Sequence, residues 1–179
     1  MATSRLVRWG AMGLMLGGVM WLVLGLSAVF GYLQAIPGRE DVELFVVALV
    51  LTAAGLVGLH SLQRGGYGLL GRVGFYIALA AVAARILGAV VFLAGSSALE
   101  WISLPGTLGM LVGFVLYGVA TVKARVLPRW YSLALLASMP VSLPLATYGT
   151  ALFGLILVVL GYVLWLRKDT TTEQPSRVR

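Results

Sequence analysis

Charged residues, glycines and prolines divide this chain into six long apolar stretches. A helix that crosses the roughly 30 Å hydrocarbon core of a bilayer needs about 20 apolar residues, and each stretch comes close to that length. They run from about Trp9 to Leu33, Val42 to Leu62, Val73 to Ala94, Pro105 to Val122, Trp130 to Thr147 and Thr150 to Leu166. The pattern predicts an all-α integral membrane bundle of six transmembrane helices over residues 1–167. A single helix over the last two stretches would be almost twice the bilayer thickness. Pro140, Pro144 and the Tyr148-Gly149 pair oppose it, so two spans joined by a tight hairpin are expected. Arg5 and Arg8 precede the first stretch as they would in a secretory signal. That stretch is too long for a signal core and no small-residue cleavage site closes it, so it reads as a retained span. Residues 168–179 are polar and read as a short disordered cytoplasmic tail.

Composition narrows the class. The 179 residues are 60% hydrophobic and 11% charged, whereas a soluble domain is about 45–50% apolar and about 25% charged. A soluble enzyme, a disordered chain and a nucleic-acid module are excluded, and no nucleic-acid partner is expected. Cysteine is absent, which removes disulfides, thiolate metal sites and a cysteine nucleophile. One histidine cannot form a bis-histidine haem or a histidine-rich zinc site. No nucleophile lies beside a base, no carboxylate pair lies deep in a span, and no G-x-S-x-G elbow or phosphate-binding glycine loop occurs. Lys123 and Lys168 both fall at span ends, so no buried lysine is available for a Schiff base. The expectation is a non-enzyme with no catalytic residue, metal or cofactor.

Charge predicts orientation. With the N-terminus in the cytoplasm, the inner ends carry Arg5, Arg8, Arg64, Arg72, Lys123, Arg125, Arg129, Arg167, Lys168, Arg177 and Arg179, and the outer ends carry only Arg39. Glu40, Asp41, Glu43 and Glu100 fall outside. This is the positive-inside distribution, with both termini cytoplasmic. Tyr32, Trp101 and Tyr148 near the outer ends, and Trp9, Tyr67, Trp130 and Trp165 near the inner ends, suit the two interfaces. The basic residues are nearly all arginine, a hint of a GC-rich prokaryotic genome and a cytoplasmic membrane.

Many of the 23 glycines lie within spans, where close backbone approach holds helices together. Gly13 and Gly17 form a GxxxG on the first span, and Gly109 and Gly113 form another on the fourth. They are candidate packing positions, within one bundle or between copies. Residues 10–21 (GAMGLMLGGVMW) align with 106–117 (GTLGMLVGFVLY), matching Gly10, Gly13 and Gly17 to Gly106, Gly109 and Gly113. Residues 86–93 align more weakly with 159–166. Together these matches suggest two inverted three-helix halves of the kind that build transporters.

Arg85 is the charge inside a span. Counted from Val73 it lies about 18 Å along the third helix, at a cost of at least about 2.5–3.5 kcal/mol on insertion scales. Helical spacing puts it on the side of Gly74, Ala78, Ala81 and Gly88, opposite Tyr76, Leu87 and Val90. The fifth span offers Ser138 and Ser142 at matching depth, and its prolines free the carbonyls of Leu136 and Pro140. Thr52 on the second span is near the midplane. His60, near an inner end, is a pH-sensing or local hydrogen-bonding group.

Two function classes follow. In the leading one, Arg85, Ser138, Ser142 and Thr52 line a polar midplane pocket that binds or transports a small solute, an anionic one given the arginine. In the other, the chain is a non-catalytic structural or accessory subunit packing through its glycine faces. The expected partners are membrane lipids, a small anionic solute, and a second copy or another membrane protein.

Overall fold

A computed structural model describes residues 2–31, 39–63, 66, 68–125 and 127–166. The tail 168–179 lies outside the described residues. Six α-helices make up the described chain: α1 (Ala2–Val29), α2 (Arg39–Gln63), α3 (Gly68–Leu93), α4 (Ser103–Ala124), α5 (Arg129–Ser142) and α6 (Ala146–Leu166). Among the described residues there is no strand. Five helices are long and apolar enough to cross a membrane, and α5, with 14 residues, is the short one.

The fifth helix departs from its predicted extent. It stops at Ser142, a single 3-10 turn covers Leu143–Leu145, and α6 begins at Ala146. Proline chemistry explains the stop. Pro140 already withholds the N–H that would bond Leu136; Leu143 still bonds the Met139 carbonyl, and Pro144 then withholds the N–H that would bond Pro140. The chain tightens into the shorter-range 3-10 pattern. Tyr148 and Gly149 belong to the first turn of α6, not to a turn of their own. A Cβ at Gly149 would collide with the Ser142 carbonyl, so only glycine lets α6 start so close to the end of α5.

The helices close a ring in chain order, each packed on its predecessor and successor, with α6 returning to α1. Neighbours run antiparallel. Gly10 of α1 abuts Gly58 of α2, and Gly17 abuts Leu51 and Thr52. Gly118 of α4 lies on Leu136 of α5. Large side chains fill the middle. Trp21 meets Phe45 edge-on at 5.3 Å and Phe153 at 5.6 Å, and Phe114 meets Phe153 at 5.8 Å. At the other end of α1, Arg8 lies over the Trp165 ring of α6 at 4.6 Å.

Two interfaces share one design. Gly18 of α1 faces Val158 of α6 as Gly106 of α4 faces Arg85 of α3. Gly25 faces Ala151 as Gly113 faces Ala78, and Gly161 faces the Ala11 carbonyl as Gly88 faces the Leu99 carbonyl. One constant offset from α1 to the stretch from Leu99 into α4, and one from α6 to α3, relates all three pairs. The offset along α6 and α3 is the one that aligns 159–166 with 86–93. The offset along α1 and α4 is not the one that aligns Gly10 with Gly106. Gly10, Gly13 and Gly17 lie against α2, whereas Gly106, Gly109 and Gly113 lie against α3. At about 3.6 residues per turn, sliding from Gly10 to Gly18 turns the helix by roughly 80°, enough to change the neighbour it faces.

These seams predict a graded cost. Gly113→Val places branched carbons against the Ala78 backbone and should destabilise by roughly 1–3 kcal/mol, the usual cost of overpacking. The exposed Leu87→Ala should be near neutral. Thermal unfolding of the detergent-solubilised protein, followed by size-exclusion fluorescence, separates the two.

Candidate functional site

Arg85 is held by α3, whose small residues face inward. Gly74, Ala78 and Ala81 are buried, and Tyr76, Ala83, Leu87 and Val90 are exposed. The helix begins at Gly68, earlier than the apolar pattern indicates, and ends at Leu93. Arg85 therefore stands about 26 Å from the start of α3 and about 12 Å from its end. It lies off-centre, level with the first turns of α4. Gly95, at a φ of 85°, helps end the helix just beyond Leu93 in a conformation that suits glycine.

The surroundings of the guanidinium come from α2 and α4. Nη1 donates to the Ser103 carbonyl at 3.2 Å and to the Thr107 hydroxyl, which itself donates back to Ser103 at 2.9 Å. Cζ sits 4.9 Å from the centroid of the Phe45 ring, a cation–π distance. The aliphatic stem rests on Gly106, where a Cβ would lie 2.7 Å from Cγ of Arg85. Arg85 is half-buried, and all these partners are neutral. A carbonyl, a hydroxyl and a ring face lower the cost of the charge without cancelling it.

The other residues expected beside Arg85 spend their hydrogen bonds elsewhere. Ser138 is buried and donates to Leu135 at 2.7 Å, and Ser142 donates to Ser138 at 2.5 Å, both within α5. Thr52 is fully buried, donates to Ala48 at 2.8 Å and accepts from Trp21 Nε1 at 3.0 Å. The hydrogen bonds do not join the four residues into one polar cluster. What links Arg85 to Thr52 is a run of rings, Phe45 and then Trp21. Gly13 and Gly17 lie on α2, and Gly109 and Gly113 lie on α3, all within the same chain.

Sequence reasoning missed Phe45, Ser103 and Thr107. The available signal was the i, i+4 pair Ser103 and Thr107 at the start of the helix that follows Arg85 across a short connection. It also missed a buried polar pair near the opposite end of the bundle. Gln63 and Thr121, both fully buried, meet at 3.0 Å, and Thr121 also donates to Tyr117 at 2.8 Å. A hydroxyl carries one proton. With the Gln63 amide turned so that Nε2 donates to Thr121, the single hydroxyl proton is left for the Tyr117 carbonyl. Nearby, His60 stacks on Phe75 of α3 at 3.9 Å.

No family model, no curated protein and no solved structure matches the chain. Function must therefore be argued from the site.

The Gln63–Thr121 pair gives a double-mutant test. Thr121→Val strands a buried amide and should cost about 1–3 kcal/mol. Adding Gln63→Leu should recover part of that loss, because both partners are then apolar. Strictly additive thermal shifts would mean that the pair does not interact.

Proposed function

We propose that the chain is an integral protein of a cytoplasmic membrane, with six spans and both ends on the cytoplasmic side, that binds a small anionic group at Arg85. Arg85 carries the reading. It is a guanidinium on an apolar helix with no carboxylate partner among the described residues. Its packing counterpart on α6 is Val158, which fills the Gly18 seam as the arginine stem fills the Gly106 seam. Packing alone is met by a valine, so the charge is surplus to it. An ionisable residue within a span is by default a functional group.

The six-span reading draws on α5. With its 3-10 turn it extends about 27 Å, close to the roughly 30 Å of a bilayer core. The bilayer reading also draws on α3, where Leu69, Val73, Tyr76, Leu87 and Val90 are exposed on one face. A water-soluble protein does not leave so long an apolar face uncovered. The matched contacts of α1–α6 and α4–α3 favour two inverted halves, on a register other than the one in the sequence alignment. The middle is filled by Trp21, Phe45, Phe114 and Phe153, which favours binding over open conduction. Transport of the bound solute would need those rings to part. The accessory-subunit reading has less support, because the candidate glycine faces are occupied within the chain.

Two experiments test this. The chain has no cysteine, so single cysteines can map topology with an impermeant maleimide. A cysteine at Tyr148 should label from outside the cell, and one at Arg125 only after permeabilisation. Equal access to both would remove α5 as a span. Native mass spectrometry of gently released protein, wild type beside Arg85→Met, should show an anionic adduct on wild type alone. Identical bare spectra would refute a tightly held anion at Arg85.

A further inference from the structure

The fixed half of the Arg85 guanidinium determines what its other half can take. Both of its hydrogen bonds leave from Nη1, to the Ser103 carbonyl and to Thr107. Nε and Nη2 have no acceptor among the described residues. In arginine, Nη1 is the nitrogen on the Cδ side, so Nε–H and Nη2–H lie together along the opposite edge and point the same way. That edge matches two oxygens of one oxyanion. A halide offers one centre of charge, which the two diverging donors share at a poorer angle than two oxygens allow.

Three contacts hold the edge in place. Cζ lies over the Phe45 ring at 4.9 Å from its centroid, Gly106 lies under the stem, and the Nη1 bonds set rotation about the Cδ–Nε bond. A side chain of this length normally loses considerable rotamer freedom on binding. Here much of that loss has already occurred, which favours a two-point ligand. Height sets what can reach the edge. The guanidinium is bonded to Ser103, the first residue of α4, so in the bilayer reading it sits where a helix meets the headgroup layer. Leu104 and Pro105 beside it are exposed, which leaves the approach open.

We propose that Arg85 binds an oxyanion of the phosphate or carboxylate type through a two-point contact on its Nε–Nη2 edge, the oxygens coming from a lipid headgroup or from a free anion. This rests on the reading of Arg85 as an anion site and adds the chemistry of its ligand. Lysine at this position would keep the charge and lose the planar fork.

The test uses the full-length protein in an uncharged maltoside detergent at constant ionic strength. Thermal stabilisation is titrated with sodium phosphate, sodium acetate, sodium chloride and phosphatidylglycerol in mixed micelles. Wild type should be stabilised by phosphate, acetate or phosphatidylglycerol and not by chloride. Arg85→Lys should bind the active probe at least about tenfold more weakly. Arg85→Val, which copies the side chain of Val158 in the matching seam, should fold and bind none. Stabilisation by phosphatidylglycerol alone assigns the lipid source, and stabilisation by phosphate or acetate assigns the free anion. Chloride matching the oxyanions, or Arg85→Lys matching wild type, overturns the two-point contact and leaves the anion site standing. Wild type indifferent to all four probes overturns both.

Discussion

Backbone contact between helices is the constraint on which the rest of this structure depends. Helices with apolar surroundings gain little by hiding apolar side chains from one another, and dispersion at close range must hold them. Such contact requires the Cβ atoms to be missing where two helices cross. Gly18 and Gly154 supply this between α1 and α6, and Gly10 and Gly58 between α1 and α2. α1 therefore has two glycine faces, roughly a quarter-turn apart, and packs against a neighbour on each. α4 repeats half of that arrangement with Gly106 and Gly113 against α3. Once these seams fix the backbones, the space that remains inside the ring is wide enough for rings, and Trp21, Phe114 and Phe153 occupy it.

Hydroxyl groups inside the bundle follow a second rule. Thr52, Thr107 and Thr121 each donate to a carbonyl one turn back on their own helix. That use of the proton is common where no water competes. It leaves the oxygen free to accept from another helix. Trp21 uses the Thr52 oxygen and Arg85 uses the Thr107 oxygen. The turned amide of Gln63 would use the Thr121 oxygen in the same way. Thr52 and Thr107 thus act as relays, passing a donor on one helix to a carbonyl on another, and the turned amide would make Thr121 a third. Ser138 and Ser142 bond back along α5 in the same manner.

Much of the helical layout was legible because it depends on run length and on residues that interrupt helices. The all-helical class, the five long apolar helices and the inward side of α3 follow from such local features. The extent of α5 was not legible, because both a turn at Tyr148-Gly149 and a break at Pro144 were consistent with the composition. The glycines aligned between the first and fourth spans face different neighbours for a geometric reason. Gly-rich helices offer several alignments a few residues apart, and each presents a different face. The partners of Arg85 were misassigned because its depth was counted from Val73. The helix begins at Gly68, and that difference moves Arg85 from the level of the α5 prolines to the first turns of α4.

The identity of those partners bears on why an arginine stands there. A carboxylate in the place of Thr107 would pair with the guanidinium and erase its field. A carbonyl, a hydroxyl and a phenyl face do otherwise. They supply partial negative charge to one side of the group and leave its full positive charge directed away from them. A half-buried charge is screened less than one in bulk water, so its attraction for an anion is correspondingly greater. Partial burial also makes the charge costly to keep. Val158, in the matching seam of α6, incurs no such penalty. The valine shows that the stem's place in the seam can be filled without a charge; what the guanidinium adds is a pair of bonds from α3 to α4 and a ring contact with α2.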